Sequence, residues 1–250
     1  WNAILDTAKF DDVQFISDMI DYMLINYDFI NHNRVYVLGS SNGGYMAYRL
    51  SCDLSHRITA FTSVIGNMFL EDDGYDCTDQ GRDIPILHIH GTEDPINSYY
   101  PGGNSVDILG DQYLTIIESI VFWSDYHQYD LMEIDTILSD VSIRYTYSND
   151  SVVSNFDHIK VIGGGHTYFY GDNYGFSSTQ EAIDYSLKYE LSDFIFNQED
   201  TNNDGIYNIE DINEVVNHLL DESQNDSSYD FNSDQNINIF DLLVLIDFIY

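Results

Sequence analysis

The pentapeptide Gly39-Ser40-Ser41-Asn42-Gly43 follows a short apolar run, Val35-Tyr36-Val37-Leu38, and precedes a helix-like stretch from Tyr45 to Leu50. This is a strand, a sharp turn and a helix in quick succession, with Ser41 at the centre of a G-x-S-x-G elbow. The small flanking residues let the backbone take a strained turn that thrusts the serine hydroxyl out of the strand end. The bare pattern recurs by chance, and the competing reading is a Gly/Ser loop after a buried strand. Its weight comes from the strand-to-helix setting.

Two further segments fall downstream. Ile84-Pro85-Ile86-Leu87-His88-Ile89-His90 is an apolar strand that ends in Gly91-Thr92-Glu93-Asp94-Pro95. His158-Ile159-Lys160-Val161-Ile162 ends in Gly163-Gly164-Gly165-His166-Thr167. Serine, acid and histidine therefore each stand just past the carboxyl end of a strand, where open α/β sheets assemble their sites. The order is that of the α/β-hydrolase triad. It predicts an α/β fold, a mostly parallel sheet with flanking helices.

A serine hydroxyl is a poor nucleophile unless an imidazole within hydrogen-bond reach takes its proton. The imidazole in turn needs a carboxylate to fix its tautomer and stabilise the imidazolium. The expected roles are Ser41 as nucleophile, His166 as base and Asp94 as orienter, with the backbone N–H of Asn42 as an oxyanion donor. Glu93 competes with Asp94, but an Asp-Pro turn after a strand suits Asp94 better. His88 and His90 alternate with apolar residues and share one strand face, so they are expected to pack or hydrogen-bond near the site rather than act as the base.

The segment from Gly39 to Cys52 (Gly-Ser-Ser-Asn-Gly-Gly-Tyr-Met-Ala-Tyr-Arg-Leu-Ser-Cys) resembles the nucleophile segment of secreted polyhydroxybutyrate depolymerases and feruloyl or acetylxylan esterases. His88 to Pro95, followed by Tyr100-Pro101-Gly102-Gly103, is similar to the acid segment of that family, and Gly163 to Thr167 to its histidine loop. The likeness runs from about Asp11 to Phe196 and implies carboxylic ester hydrolysis through an acyl-enzyme. Family members carry several strands before the nucleophile strand, and a loop among them supplies the second oxyanion N–H. Here 34 residues precede Val35, and Asp12 to Tyr27 reads as one amphipathic helix through Val13, Ile16, Ile20, Met23 and Leu24. The expectation is a hydrolase domain over 1–197 lacking its early strands and any export signal. Its nucleophile strand would then lie at an exposed sheet edge.

A different module is expected over 198–250. Asp200 to Asp211 and Asp230 to Asp241 repeat one twelve-residue pattern thirty positions apart. Oxygen side chains recur at loop positions one, three, five, nine and twelve, as a hard cation such as Ca²⁺ requires. These are Asp200, Asn202, Asp204, Asn208 and Asp211 in the first loop, and Asp230, Asn232, Asp234, Asn238 and Asp241 in the second. Position seven offers a backbone carbonyl, from Ile206 and Asn236. Gly205 supplies the sharp turn at position six, whereas Gln235 departs from the pattern there, so the first site is expected to be the tighter. Each loop leads into an apolar helix, through Ile212, Val215, Val216, Leu219 and Leu220 in the first and Leu242 to Ile249 in the second. This duplicated unit resembles a type I dockerin. That likeness implies structural Ca²⁺ and a cohesin partner that places a secreted enzyme on a scaffold. Ile209-Glu210 and Ile239-Phe240 stand where a Ser-Thr pair often governs partner choice.

Acidic residues number 43 against 8 basic, and the segment from Gln198 onward has no Lys or Arg. A net charge of −35 repels nucleic acid and anionic membranes, and the final apolar helix is too short to span a bilayer. Cys52 and Cys77 are the only cysteines; a disulfide would suit an exported protein, and two packed thiols are the other reading. Trp123, Tyr99, Tyr100, Tyr168 and Phe169 are candidates to line an acyl or aromatic pocket. The expected activity is that of a secreted serine esterase acting on feruloyl or acetyl cell-wall esters, or on hydroxyalkanoate polyesters. The rival readings are a calcium-dependent scaffold or adhesion protein with an inactive hydrolase domain, and a serine peptidase.

Overall fold

The structure, a computed structural model, describes residues 1, 11–27, 29–69, 83–101, 113–150, 152–193, 201, 209–220, 229–231 and 236–249. The chain divides into two compact units, Trp1–Phe194 and Ile195–Tyr250.

The first unit is built on a six-stranded mixed sheet. Its strands are β1 (Tyr36–Ser40), β2 (Ala60–Val64), β4 (Ile86–Gly91), β6 (Leu131–Ser139), β7 (Ser142–Ser148) and β8 (Phe156–Val161), in spatial order β1-β2-β4-β8-β7-β6. The four strands β1, β2, β4 and β8 run parallel. The β6–β7 hairpin closes the other side antiparallel. Every residue of β2 and β4 is buried, as expected of strands covered on both faces. A separate two-stranded ribbon pairs β3 (Met68–Phe69) with β5 (Tyr113–Leu114).

Alternation along the strands feeds two cores. Phe61, Ile86 and Phe156 point to one side, where they pack with Tyr48, Trp123, Ile116 and Ile120 from α2 (Asn42–Asp53) and α3 (Ile116–Tyr126). Val64, Leu87, Ile89, Ile159 and Val161 point to the other, beneath Tyr185 of α4 (Ser178–Ser186) and Phe169. Each apolar side chain of this size contributes about 1.5–3 kcal/mol when fully buried. Helix α3 starts at a capping box in which Thr115 and Glu118 satisfy each other's backbone N–H groups.

Helix α1 (Asp12–Asn26) forms where the periodicity predicts it, with Asp11 as N-cap. Its apolar stripe is only partly covered. Ile20 is buried and Val13, Ile16 and Leu24 pack against the core, but Met23 is exposed, as are Phe15, Met19 and Tyr22. Strand β1 is one edge of the described sheet, β6 the other. An apolar cleft of about 300 Å³ runs beside it, lined by Ile16, Val37, Leu38, Met46 and Leu50 among others.

The second unit holds α5 (Ile209–Leu220) and α6 (Ile239–Ile249), packed through Ile212, Val215, Leu242 and Leu245. The two helices bury equivalent positions of the repeat. Asp211 and Asp241, at the twelfth position of each loop, are both fully buried. Among the described residues no helix is long and apolar enough to cross a membrane.

Candidate active site

The site begins with the backbone at Ser41, which sits between β1 and α2 with φ 52° and ψ −119°. That conformation is strained for any residue with a side chain. It is held by the Ser41 N–H donating to the Val64 carbonyl of β2 (2.9 Å) and by the first turn of α2 winding back onto the Ser41 carbonyl. Gly39 is required by this turn, since a Cβ there would come within 1.8 Å of the Gly43 carbonyl oxygen.

His166 arrives from the loop after β8. Its Nε2 lies 2.9 Å from Ser41 Oγ and its Nδ1 2.8 Å from Asp94 Oδ2. The loops carrying Asp94 and His166 are joined by two backbone bonds, Thr92 N–H to the Val161 carbonyl and Glu93 N–H to the Gly164 carbonyl, both 2.9 Å. This apposition needs Gly91, where a Cβ would sit 2.1 Å from the Gly164 oxygen. Three segments separated widely in sequence thus form one hydrogen-bonded line, with Glu93 exposed beside it.

Asp94 is buried, and its second oxygen accepts the N–H groups of Ile96 (2.8 Å) and Asn97 (2.9 Å). Burial by itself would raise its pKa. The His90 imidazole and the Asn97 and Ile96 N–H groups outweigh that and hold the carboxyl below the usual carboxylate range. Asp94 is therefore ionised at neutral pH, the state needed to stabilise an imidazolium at His166. His88 and His158 are fully buried, and burial drives both down, His88 well below the ordinary range and His158 to about 3. Both stay neutral.

The N–H of Asn42 opens α2 and finds no acceptor among the described residues. It points from the helix end that favours negative charge. The Asn42 side chain donates to the Trp1 carbonyl (3.1 Å).

Other anticipated residues fall elsewhere. Trp123 and Phe169 are fully buried in the two cores, and Tyr99 is buried with its hydroxyl 2.8 Å from His158 Nε2. Aromatic residues of this kind look alike in sequence, and packing decides which line a pocket. Of the five, Tyr100 is exposed and Tyr168 half-buried. Sequence reasoning missed Asn97. Its N–H holds Asp94, its carbonyl lies 3.0 Å from His90 Nε2, and its side chain bonds the Tyr45 hydroxyl and the Ile65 carbonyl. Only the Asx-type spacing from Asp94 hinted at it.

Cys52 is disulfide-bonded, and Cys77, the single other cysteine, lies outside the described residues. Of the candidate cation ligands, Asp200, Asn202, Asp204, Ile206, Asn208, Asn232 and Asp234 also lie outside them. Asp211, Asp230, Asn236, Asn238 and Asp241 are described, and Asp241 accepts the Asn238 N–H at 2.7 Å. Two buried carboxylates at matching loop ends, in a module without Lys or Arg, fit a hard divalent cation.

Residues 6–140 match the phospholipase/carboxylesterase family of α/β-hydrolases. The chain belongs to that family. The match spans Ser41 and Asp94, while His166 lies beyond it. Residues 198–250 match the type I dockerin domain, which gives this carboxylesterase-family chain a second module. A bifunctional acetylxylan esterase/xylanase of Neocallimastix patriciarum is 35% identical over 89 residues, 35% of this chain and 12% of that protein. The chain thus spans about an eighth of that relative's length. A solved acetyl xylan esterase from Aspergillus awamori is 19% identical with a TM-score of 0.43, over 62% of each chain. At that level the likeness adds nothing to the assignment.

Proposed function

We propose that the chain is a serine carboxylic-ester hydrolase of acetyl or feruloyl esters on plant cell-wall polysaccharide, exported and tethered through its dockerin module. The observation that carries this reading is the 2.9 Å approach of His166 Nε2 to a serine held at φ 52°. Ser41 Oγ attacks the ester carbonyl while His166 Nε2 takes its proton. Asp94 keeps the imidazole oriented by accepting its Nδ1–H, and remains ionised throughout. The Asn42 N–H donates to the oxyanion that forms on the carbonyl oxygen. Collapse of this intermediate expels the alcohol, which leaves with the proton from His166, and Ser41 is acylated. A water then repeats the attack, with His166 again as base, and frees the acid and the serine.

The substrate class is supported by the stretch shared with the bifunctional acetylxylan esterase/xylanase and by the dockerin. A dockerin calls for a cohesin-bearing partner, and the Cys52 disulfide suits an oxidising compartment. The dockerin's Ca²⁺ is structural. Asp200, Asn202, Asp204, Ile206, Asn208 and Asp211 would hold one ion, and Asp230, Asn232, Asp234, Asn236, Asn238 and Asp241 a second.

The test is release of acetate and ferulate from acetylated and feruloylated xylan, beside hydroxybutyrate oligomers and an aryl amide. Release from xylan that disappears in Ser41→Ala is expected. Turnover of the amide or the polyester alone would refute the substrate class, and unchanged release in Ser41→Ala would refute the serine mechanism.

A further inference from the structure

Behind Asp94 a second chain of side chains continues into the core. His88 and His90 lie on the same face of β4, both fully buried. His88 Nε2 lies 3.1 Å from His90 Nδ1, and His88 Nδ1 lies 2.6 Å from the hydroxyl of Tyr48, itself fully buried on α2. At the other end His90 Nε2 is 3.0 Å from the Asn97 carbonyl and 3.3 Å from Asp94 Oδ2. Asp94 Oδ2 is thus approached by two imidazoles, His166 on one side and His90 on the other.

The direction of every proton in this chain follows from its ends. A carbonyl and a carboxylate only accept, so His90 Nε2 must carry the hydrogen. In a neutral ring His90 Nδ1 is then an acceptor and takes the His88 Nε2–H. His88 Nδ1 is left as acceptor for the Tyr48 O–H. Every donor finds an acceptor with all three groups neutral. The reverse polarity needs a charged His90 and would leave the Tyr48 hydroxyl hydrogen buried without an acceptor, a costly arrangement.

From this we infer that His90 is a positioning residue for the ester-hydrolysing site. Its one Nε2–H is shared between the Asn97 carbonyl (3.0 Å) and Asp94 Oδ2 (3.3 Å), orienting and charge-stabilising the carboxylate that orients His166, and Tyr48 and His88 fix its tautomer. The inference rests on the triad reading of Ser41, His166 and Asp94. It explains why an alternating His-x-His pair is buried in a strand that would otherwise carry apolar residues. His88 and His90 are not satisfied core residues alone, because their chain terminates on the acid. The groups facing this chain are Tyr48 from α2, His158 and Lys160 from β8, Tyr99 from the loop after β4, and His166. His158 stays neutral, bonded to Tyr99 and the His88 carbonyl. Lys160 lies over the Tyr99 ring.

Removing the donor leaves Asp94 more basic and a stronger charge partner for His166, and both effects raise the proton affinity of the pair. His90→Leu is therefore expected to move the acid limb of kcat/KM upward by about one pH unit, the scale of one charge-assisted hydrogen bond. It should lower kcat about tenfold with KM little changed, while His90→Gln, which keeps an N–H donor, should return most of the shift. A purely structural role would reduce active enzyme without moving the limb, and an unmoved limb in a folded His90→Leu protein would overturn the inference. The unmutated chain gives an independent check through ¹⁵N spectra of its histidine rings. Hydrogen on Nε2 and none on Nδ1 is expected for both His88 and His90, and the opposite tautomer at His90 would overturn it. Ser41→Ala assayed in parallel separates the two readings. If it stays active, the triad itself falls. If it is dead while the limb of His90→Leu is unmoved, only the positioning role falls.

Discussion

Replacing Asp94 by Asn changes one atom's chemistry and almost nothing of its shape, so its consequence can be worked from the contacts. One carboxylate oxygen accepts the Ile96 and Asn97 N–H groups at 2.8 and 2.9 Å. The amide oxygen of Asn stays there, since turning it away would leave two backbone N–H groups facing an NH₂, whereas the His90 Nε2–H keeps the Asn97 carbonyl at 3.0 Å as its acceptor. The amide nitrogen is then forced into the place of Oδ2, 2.8 Å from His166 Nδ1. An NH₂ only donates. His166 must answer with the lone pair of Nδ1, which moves its proton to Nε2, opposite Ser41 Oγ. A protonated Nε2 cannot take the serine's proton. The same tautomer trap costs about 10⁴ in kcat where a triad aspartate becomes asparagine, about 5 kcal/mol on the barrier. Steady-state kinetics on a soluble aryl acetate, with circular dichroism to confirm the fold, is the assay. A drop in kcat of about three to four orders of magnitude with KM nearly constant is expected. A loss of less than about tenfold, or about 1.4 kcal/mol, would refute the tautomer argument.

Asp94 also links stability to pH: its folded pKa lies below its unfolded value, so its contribution is full above the ordinary carboxylate pKa and is lost as pH falls from there through the folded value. Urea midpoints measured downward from pH 6 should therefore fall less steeply in Asp94→Asn than in the parent. Chelation should melt α5 and α6, because the buried Asp211 and Asp241 lose their counter-charge, while ester turnover is retained; far-ultraviolet circular dichroism that is unchanged by a chelator would count against this. Reducing the disulfide at Cys52 should lower denaturant stability by about 3–4 kcal/mol, the loop-closure value for a bridge to Cys77, and an unmoved midpoint would argue against a stabilising bridge.

The elbow and the two loops facing it were legible because each chemical residue stands at the carboxyl end of an apolar strand, and small residues mark each turn. Gly39 and Gly91 carry that signal physically, since a methyl group at either would collide with backbone across the site. The β6–β7 hairpin was not legible. Strand β7 does alternate, with Ile143, Tyr145 and Tyr147 between Ser142, Arg144, Thr146 and Ser148, but β6 places its apolar residues irregularly (Leu131, Met132, Ile134, Ile137, Leu138), so no paired pattern marks the hairpin. The stripe of α1 misled at Met23 because helical spacing shows which residues share a face, not how much of that face is covered. Sharing of a face by His88 and His90 was readable from alternation. Their partners were not, because Tyr48 lies forty residues upstream of His88 on a helix whose rotation only packing fixes. The choice of Asp94 over Glu93 rested on turn chemistry, and in the fold it is Asp94 that faces His166 while Glu93 meets solvent. The module that matches the dockerin domain was legible from repetition alone, thirty residues apart, before any packing was known.

The nucleophilic role of Ser41 is tested most directly by labelling with an aryl alkylphosphonate, which mimics the tetrahedral intermediate and phosphonylates an activated serine. Intact mass followed by peptide mapping should find one adduct per chain, on Ser41. The labelling rate should collapse in His166→Ala, because without the imidazole the hydroxyl keeps its proton. An unlabelled chain, or an adduct on any other residue, would contradict the role assigned to Ser41.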